Sequence, residues 1–393
     1  MFPGHAVVMA APASLFTDER AALLVLLLAI GPASPRRSLL SRYGSAGNAL
    51  AAGPSAWRAA GCTPEQCQAL AQPPREALAR ALRWLDAPGH HLVSLADPTY
   101  PPLLRETASP PLALFVDGEP ALLRHPGVAV VGSRRPSGSG DDLAREFASA
   151  LAAAGLVVIS GMAAGIDAAA HRAALDSQGL SVAVLGTGAD VPYPARHAAL
   201  RNTLAGRGAV VSEYLPGTRP VAVQFPARNR IVAGLTLGTL VVEAAFRSGA
   251  LITARLAGES GREVFAIPGS VRNPLARGCH RLIRDGAQLV ESPDDVLAVL
   301  GPLALAQGRA LHAAPCDPIE QAGPRRAPGA GPTPPPVDPH YQSLWQALGH
   351  DPTPMDSLVQ RTGLTAATLS SMLLAMELEG RVVAEHGRYT RNP

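Results

Sequence analysis

The sequence predicts an α/β protein built on a doubly wound parallel sheet, with a small helical domain before it and a winged helix after it. Six short β-branched runs alternate with Ala-rich helical stretches from Val128 to about residue 300, which is the pattern of a parallel sheet wrapped by helices. Glycine-bearing turns follow several of these runs, where such sheets bind their ligands. A length of 393 residues leaves room for further domains on either side.

Residues 15–90 read as short helices separated by turns at Gly31-Pro32, Gly44 and Gly53-Pro54. The apolar run Ala21 to Ile30 follows the charged Asp18, Glu19 and Arg20 and is about half as long as a bilayer crossing needs. It is expected to be a buried helix. Thr63-Pro64-Glu65 marks a helix start, with Thr as N-cap and Pro in the first helical position. Met1 to Ser14 lacks a basic segment ahead of a sufficient apolar one, so no secretory signal and a cytoplasmic location are expected.

Within the core, residues 91–300, strands are expected at Val128 to Val131, Leu156 to Ile159, Val182 to Leu185, Ala209 to Ser212, Thr239 to Val242 and Glu263 to Ala266. Beyond their carboxyl ends fall Gly132-Ser133-Arg134, Ser160-Gly161, Gly186-Thr187-Gly188, Glu243 and Pro268-Gly269, the side on which open α/β sheets hold ligands. Residues 301–339 are assigned to a linker, since nine of the 27 residues from Ala313 to Pro339 are Pro and three are Gly, too many for a packed element. After it, residues 340–393 give three helical patterns, His340 to Gly349, Met355 to Arg361 and Thr365 to Leu378. Two short strands, Val382 to Glu385 and Arg388 to Thr390, complete a winged-helix pattern.

Composition narrows the function. All 34 basic residues are Arg and the net charge is +3, so every phosphate contact would use a planar, always-charged fork. Charge is concentrated: Val221 to Arg284 holds nine Arg against three Glu, the place to look for an anionic partner. The cysteines Cys62, Cys67, Cys279 and Cys316 show no metal-binding spacing and read as free thiols. No metal and no cofactor is expected.

The stretch Gln224 to Ala254 gathers the chemistry of a polymeric anion. Phe225 offers a flat face, Arg228 and Arg230 offer charge, and Ser248-Gly249 turns into a helix whose N-terminal amides attract anions. An aromatic beside such sites favours nucleic acid over a lone phosphate. Arg228 and Arg230 straddle Asn229 and, on a helix, face different ways; one is expected to serve the ligand while the other ties the loop to Glu243 or Asp190. Gly132-Ser133-Arg134 is either a phosphate clamp or a tight turn with a solvated Arg. Gly161 and Gly165 allow close backbone approach, and Asp167 with His171, four apart on one helical face, read as a structural pair fixing that loop.

Six stretches resemble the DNA-processing protein A (DprA/Smf) family in family order: VAVVGSRRPSGSG from Val128, SGMAAGIDAAAH from Ser160, AVLGTGADVPYP from Ala183, GAVVSEYLPGTRP from Gly208, QFPARNRIVAG from Gln224 and REVFAIPGSV from Arg262. The resemblance implies an extended Rossmann-like core, an N-terminal domain of sterile-alpha-motif or helix-hairpin-helix type, and a C-terminal winged helix. It implies a protein of natural transformation that binds and protects single-stranded DNA, loads the RecA recombinase onto it in place of single-strand-binding protein, and acts as a homodimer with no membrane span.

Residue by residue, the resemblance implies strand contacts at Gly132, Ser133, Arg134, Gly161, Gly165, Phe225, Arg228, Asn229, Arg230, Ser248 and Gly249. Asp167, His171 and Glu243 would support them. The family often places Lys near Ala195 and Ala222 and Asn at the positions of His197 and His280; here Arg196, Arg201 or Arg219 would supply the missing charges, with Arg196 the first choice. Arg36 and Arg37 in the helical domain are either packing residues or a minor DNA contact.

Two rival readings follow from the same residues. Glu243 stands where related phosphoribohydrolases, which cleave nucleoside monophosphates, carry a catalytic Glu, but their paired glycines are replaced here by VAGLTLGTLVVE. A buried partner for an arginine is therefore expected, and the chain is not expected to be an enzyme. The winged helix raises a duplex-binding regulator, although Thr365 to Leu378, its candidate recognition helix, contains no Arg.

Overall fold

The computed structural model describes residues 18–313 and, beyond them, discontinuous stretches between residues 344 and 391. The described residues divide into two units, 18–136 with 143–313, and 137–142 with the stretches from residue 344 onward. The expected linker from residue 314 to 339 lies outside the described residues, as does Cys316.

The helical domain opens with α1 (Glu19–Leu28), started by the Asp18 side chain accepting from the Arg20 amide. Leu24, Leu26 and Ala22 on this helix are fully buried, as the apolar run predicts. Next come α2 (Ala33–Tyr43), α3 (Ala46–Ala51), α4 (Gly53–Ala59), α5 (Pro64–Ala71) and α6 (Arg75–Leu85). Gly44 ends α2 at φ 74°, a left-handed position that suits glycine. At α5 the Thr63 hydroxyl accepts from the Gln66 amide and the Gln66 side chain accepts from the Thr63 amide, a reciprocal cap.

Strands β1 (His90–Ser94) and β2 (Ala113–Gly118) form an antiparallel edge, with the short α7 (Pro102–Arg105) between them. The rest of the sheet alternates strand and helix: β3 (Gly127–Val131), α8 (Gly138–Ala153), β4 (Val157–Ser160), α9 (Ile166–Asp176), β5 (Ser181–Val184), α10 (Ala198–Arg207) and β6 (Ala209–Ser212). It continues through α11 (Gln224–Gly234), β7 (Gly238–Val241), α12 (Ala250–Glu259), β8 (Glu263–Ala266), α13 (Arg277–Arg284), β9 (Gln288–Leu289) and α14 (Pro293–Ala313). All six expected strands are present, shifted by no more than a residue or so.

The nine strands lie in the order β1-β2-β6-β5-β4-β3-β7-β8-β9. β6 through β9 are mutually parallel, and β2 joins β6 antiparallel. Period-two alternation sorts the side chains: Ala129 and Val131 pack on one face with Ile231 and Val232 of α11, while Val128 and Val130 pack on the other with Phe147 of α8 and Ile166 of α9. From β3 the chain builds outward to β6 and then returns to place β7 on the other side of β3. The carboxyl ends of β3 and β7 therefore bound a topological switch point.

One boundary differs from expectation. α14 runs through Gly301-Pro302 to Ala313, so residues 301–313 are helical and not linker. Leu300 is fully buried against the sheet, and that packing outweighs the Pro, which loses one backbone hydrogen bond inside a helix.

In the second unit, β10 (Thr353–Pro354), α15 (Met355–Thr362), β11 (Val382–Glu385) and β12 (Arg388–Arg391) are described, with the sheet order β10-β12-β11. Leu344, Leu358, Leu369, Leu373 and Met376 share a small core, as a winged helix requires. Of the expected helices His340 to Gly349 and Thr365 to Leu378, only scattered positions fall among the described residues.

Candidate nucleic-acid interface

Loops after β3, β4, β5 and β7 converge with the first turn of α11 on the switch point. There they enclose a cavity of about 260 Å³ lined by Gly132, Arg134, Gly161, Asp167, Phe225, Arg228, Asn229, Ser248 and Gly249, among others. A second cavity, of about 170 Å³, shares Arg134, Gly161, Phe225 and Arg228 and adds Tyr193, Pro194 and Arg196. Most of the residues named from sequence are thus brought together.

The glycines are needed because backbones meet. A Cβ on Gly132 would stand 2.7 Å from Ile166 and 2.9 Å from the Glu243 carbonyl. Gly165 has φ +79°, and a Cβ there would come within 2.3 Å of the Ser133 carbonyl oxygen. That carbonyl accepts from the Ile166 amide at 3.1 Å, which locks the β3 loop to the start of α9. Ser133 acts through this contact; it does not line either cavity.

Arg228 occupies the floor. It is 5% exposed, and its guanidinium donates to the Gly161 carbonyl at 2.7 Å and to the Val184 carbonyl. A Cβ on Gly161 would fall 2.4 Å from that guanidinium, so the glycine and the arginine require each other. Burial pulls the Arg228 pKa down to about 10, with the Asp167 charge opposing; the group stays charged at neutral pH. Asp167 accepts the Gly161 amide at 3.1 Å and the Ala163 amide at 3.3 Å. Burial raises its pKa, while Arg228 and these amides hold it down.

His171 corrects the expected pairing with Asp167. Its Nδ1 lies 2.7 Å from the Ser181 hydroxyl, and that hydroxyl itself donates to the Val158 carbonyl. The Ser181 oxygen is therefore the acceptor, Nδ1 carries the proton, and the buried Nε2 has no hydrogen-bond partner among the described residues. Four-residue spacing put both groups on one helical face, but one side chain reaches up to the loop and the other across to β5. His197 takes over the role of loop support: its Nδ1 is 3.0 Å from the carbonyl of Met162, a residue at φ 56°.

Arg230 is a second correction. It pairs with Glu213 at the far side of α11 and lines a separate cavity beside the helical domain, away from Phe225. The expected partners were Glu243 or Asp190; instead, Asp190 accepts from the Gly217 amide at 2.8 Å and Glu243 accepts from the Asn273 side chain at 3.0 Å. Glu243 is buried behind the Gly132 loop and lines neither cavity. Arg201 is likewise committed, to Asp117 and the Ala189 carbonyl. Arg36 donates to the carbonyls of Leu26, Leu27 and Gly31 and Arg37 to Ser109 and Pro110, which makes both packing residues.

Arg134 and Arg196 remain exposed at the cavity mouth. The same cavity holds a feature that the sequence reading missed, the ring of Tyr193, 44% exposed and 4.9 Å from that of Phe225 at a tilt of 37°. Phe225 is half-buried, its edge against Gly186. The signal for Tyr193 was its place between Pro192 and Pro194, just past the Gly186-Thr187-Gly188 turn. At the opposite rim, Ser248 accepts from the Ala250 amide at 3.3 Å and the Asn229 amide reaches the Gly249 carbonyl at 3.4 Å.

Comparison with known proteins agrees with this architecture. Residues 91–301 match the family model for DNA recombination-mediator protein A, and residues 328–388 match that of the DprA winged helix domain. Protein Smf of Escherichia coli (strain K12) is 42% identical over 333 residues, covering 84% of this chain and 85% of its own. DNA processing protein DprA of Streptococcus pneumoniae (strain ATCC BAA-255 / R6) is 49% identical over 205 residues, 52% of this chain and 72% of its own. The X-ray structure of Streptococcus pneumoniae DprA superposes with a TM-score of 0.63 at 38% identity, over 70% of this chain and 96% of that one. Family model, relatives and fold agree, and this chain belongs to the DNA recombination-mediator protein A (DprA/Smf) family.

Proposed function

We propose that this chain binds single-stranded DNA across the carboxyl edge of its sheet, as a DNA-processing protein and not as an enzyme. The observation that carries the reading is the Tyr193–Phe225 ring pair lining one cavity together with the exposed Arg134 and Arg196. Rings take bases of any sequence by stacking, and guanidinium forks take the phosphates between them. The bases of a duplex are already stacked and offer no free face.

In this reading Arg134 and Arg196 hold phosphates, Phe225 and Tyr193 stack, and the buried Arg228 supplies positive potential from below. Gly132, Ser133, Gly161, Gly165 and Asp167 shape the loops. Asn229, Ser248 and Gly249 form the opposite rim at the start of α12, where the helix dipole favours an anion. The names of the relatives support a role in DNA processing. Protection of incoming strands in natural transformation, loading of RecA in place of single-strand-binding protein, action as a homodimer and residence in the cytoplasm complete the proposal. They rest on family membership. Among the described residues no helix is long and apolar enough to cross a membrane.

The test is a titration with single-stranded and duplex oligonucleotides of equal phosphate count over a salt series. Single strands should bind more tightly, with log K falling against log salt by about 0.7 per phosphate neutralised. Equal affinity for duplex would overturn the assignment.

A further inference from the structure

We propose that the arginine face of α13 carries the single strand onward from the cavity as a second phosphate-binding track. The inference rests on the single-strand reading above and adds a subsite to it. Arg277, Arg281 and Arg284 are exposed, whereas Gly278 and Cys279 between them are buried. Their i, i+4, i+7 spacing puts all three on one side of the helix. At 1.5 Å per residue they step about 6 Å and then about 4.5 Å along the axis, a ladder of charges suited to successive phosphates.

The opposite side of α13 is pinned against the loop that follows β7. The Gly278 amide donates to the Ala244 carbonyl at 2.8 Å, and a Cβ on Gly278 would stand 2.5 Å from that oxygen. This loop ends at Ser248 and Gly249, on the rim of the DNA cavity. Between its two ends it exposes Arg247 and Phe246, and Phe246 is 55% exposed. The Arg281 guanidinium lies over the Phe246 ring, 5.1 Å from its centroid. Rim, aromatic and arginine ladder are thus joined by one short loop.

The charge balance favours a polyanion. Arg247, Arg272, Arg277 and Arg284 make no ion pair among the described residues. The acidic neighbour on the ladder is Asp285, 3.4 Å from Arg281 with both groups exposed, a weak pair in solvent. Like charges one turn apart destabilise a helix, and an extended phosphate backbone removes that repulsion with bidentate contacts. Phe246 beneath Arg281 adds a stacking plane.

The experiment uses the full chain carrying Arg277→Gln, Arg281→Gln and Arg284→Gln together, titrated with oligothymidylates from about 6 to about 40 nucleotides. Affinity for the shortest strands that bind should stay within about twofold. For the longest it should fall about tenfold, with a salt slope shallower by about 2, three contacts at about 0.7 each. Lys at the same three positions should restore most of the slope. Equal loss at every length, loss at no length, or loss confined to duplex would each overturn the track. Wild-type protein that binds every length equally would also sink it while leaving the cavity reading intact; wild-type protein that binds no single strand would sink the cavity reading itself.

Discussion

Arg228 is the residue on which the sequence expectation and the geometry differ most usefully, and Arg228→Gln separates them. The guanidinium is buried on the carbonyls of Gly161 and Val184 and also donates to the Asn229 side chain at 3.2 Å. Hydrogen bonds from a charged donor contribute about 1.5–3 kcal/mol each, so losing the two buried ones costs about 3–6 kcal/mol. Relief from holding a charge out of water offsets part of this, leaving a net loss of about 3 kcal/mol. Asp167, deprived of the nearby cation, should shift further upward. Urea and thermal unfolding of the variant should show a midpoint lower by several degrees. Single-strand affinity, scaled to the folded fraction, should fall less than it does in Arg134→Ala. An unchanged melting temperature with a larger affinity loss than Arg134→Ala would refute the anchoring argument and make Arg228 a direct phosphate ligand.

Arg134→Ala should leave the melting temperature unaltered while weakening single-strand binding and reducing the salt slope by about 0.7; an unchanged slope would return Arg134 to a solvated turn. Tyr193→Ala and Phe225→Ala should each cost about 1–3 kcal/mol of affinity at constant slope, and a lowered melting temperature without loss of affinity per folded molecule would make the rings purely structural. Burial, with the Arg228, His197 and Arg172 charges, pushes the His171 imidazole down to about 3. Since the unfolded chain takes up that proton near pH 6.5, the contribution is fully present above pH 6.5. It is lost as pH falls toward 3, at up to about 1.4 kcal/mol per pH unit. His171→Gln should flatten the pH dependence of the urea midpoint between pH 6.5 and 5, and equal slopes in variant and wild type would contradict the assignment. Removing every residue after Gly323 should keep short-oligonucleotide affinity within a few-fold, and loss of most of it would place the DNA on the winged helix. Nucleoside monophosphates should not be hydrolysed; turnover abolished by Glu243→Gln would promote the enzymatic alternative.

The parallel sheet was legible because each strand is buried on both faces, so Val128 to Val131 or Thr239 to Val242 reads as an uninterrupted apolar run. β1 and β9 escaped notice for the opposite reason: HHLVS is half polar at the sheet edge, and β9 is two residues long. Site glycines were readable too, since Gly132, Gly161 and Gly165 mark places where backbones meet. Side-chain partners were not. Spacing placed Asp167 and His171 on one face of α9, but His171 finds Ser181 at the start of β5, ten residues on, while Asp167 turns back to the amides of Gly161 and Ala163. The pairing of Arg230 with Glu213 similarly depends on the packing of α11 across β6. The end of the core was misjudged at Gly301-Pro302 because a local break signal says nothing about the sheet that holds Leu300 in place.

The absence of Lys from the sequence turns that limitation into an argument about the site. One residue type performs two opposed tasks here, and composition cannot tell them apart. Arg228, Arg230 and Arg201 are consumed by carbonyls and carboxylates inside the fold, where a fork with several donors can satisfy several acceptors at once. Arg134, Arg196, Arg247, Arg277 and Arg284 are exposed, and no acidic partner is described for any of them. The local excess between Val221 and Arg284 overstates what a ligand can use within the cavity, since part of it lies in ion pairs, Arg228 is spent on carbonyls, and the rest lies in the loops after β7 and β8 and on α13. A strand drawn only by net charge would find no reason to prefer the switch point. The rings of Tyr193 and Phe225, sharing a cavity with two uncommitted forks, supply that reason in the proposed reading, because bases and phosphates would be satisfied there together.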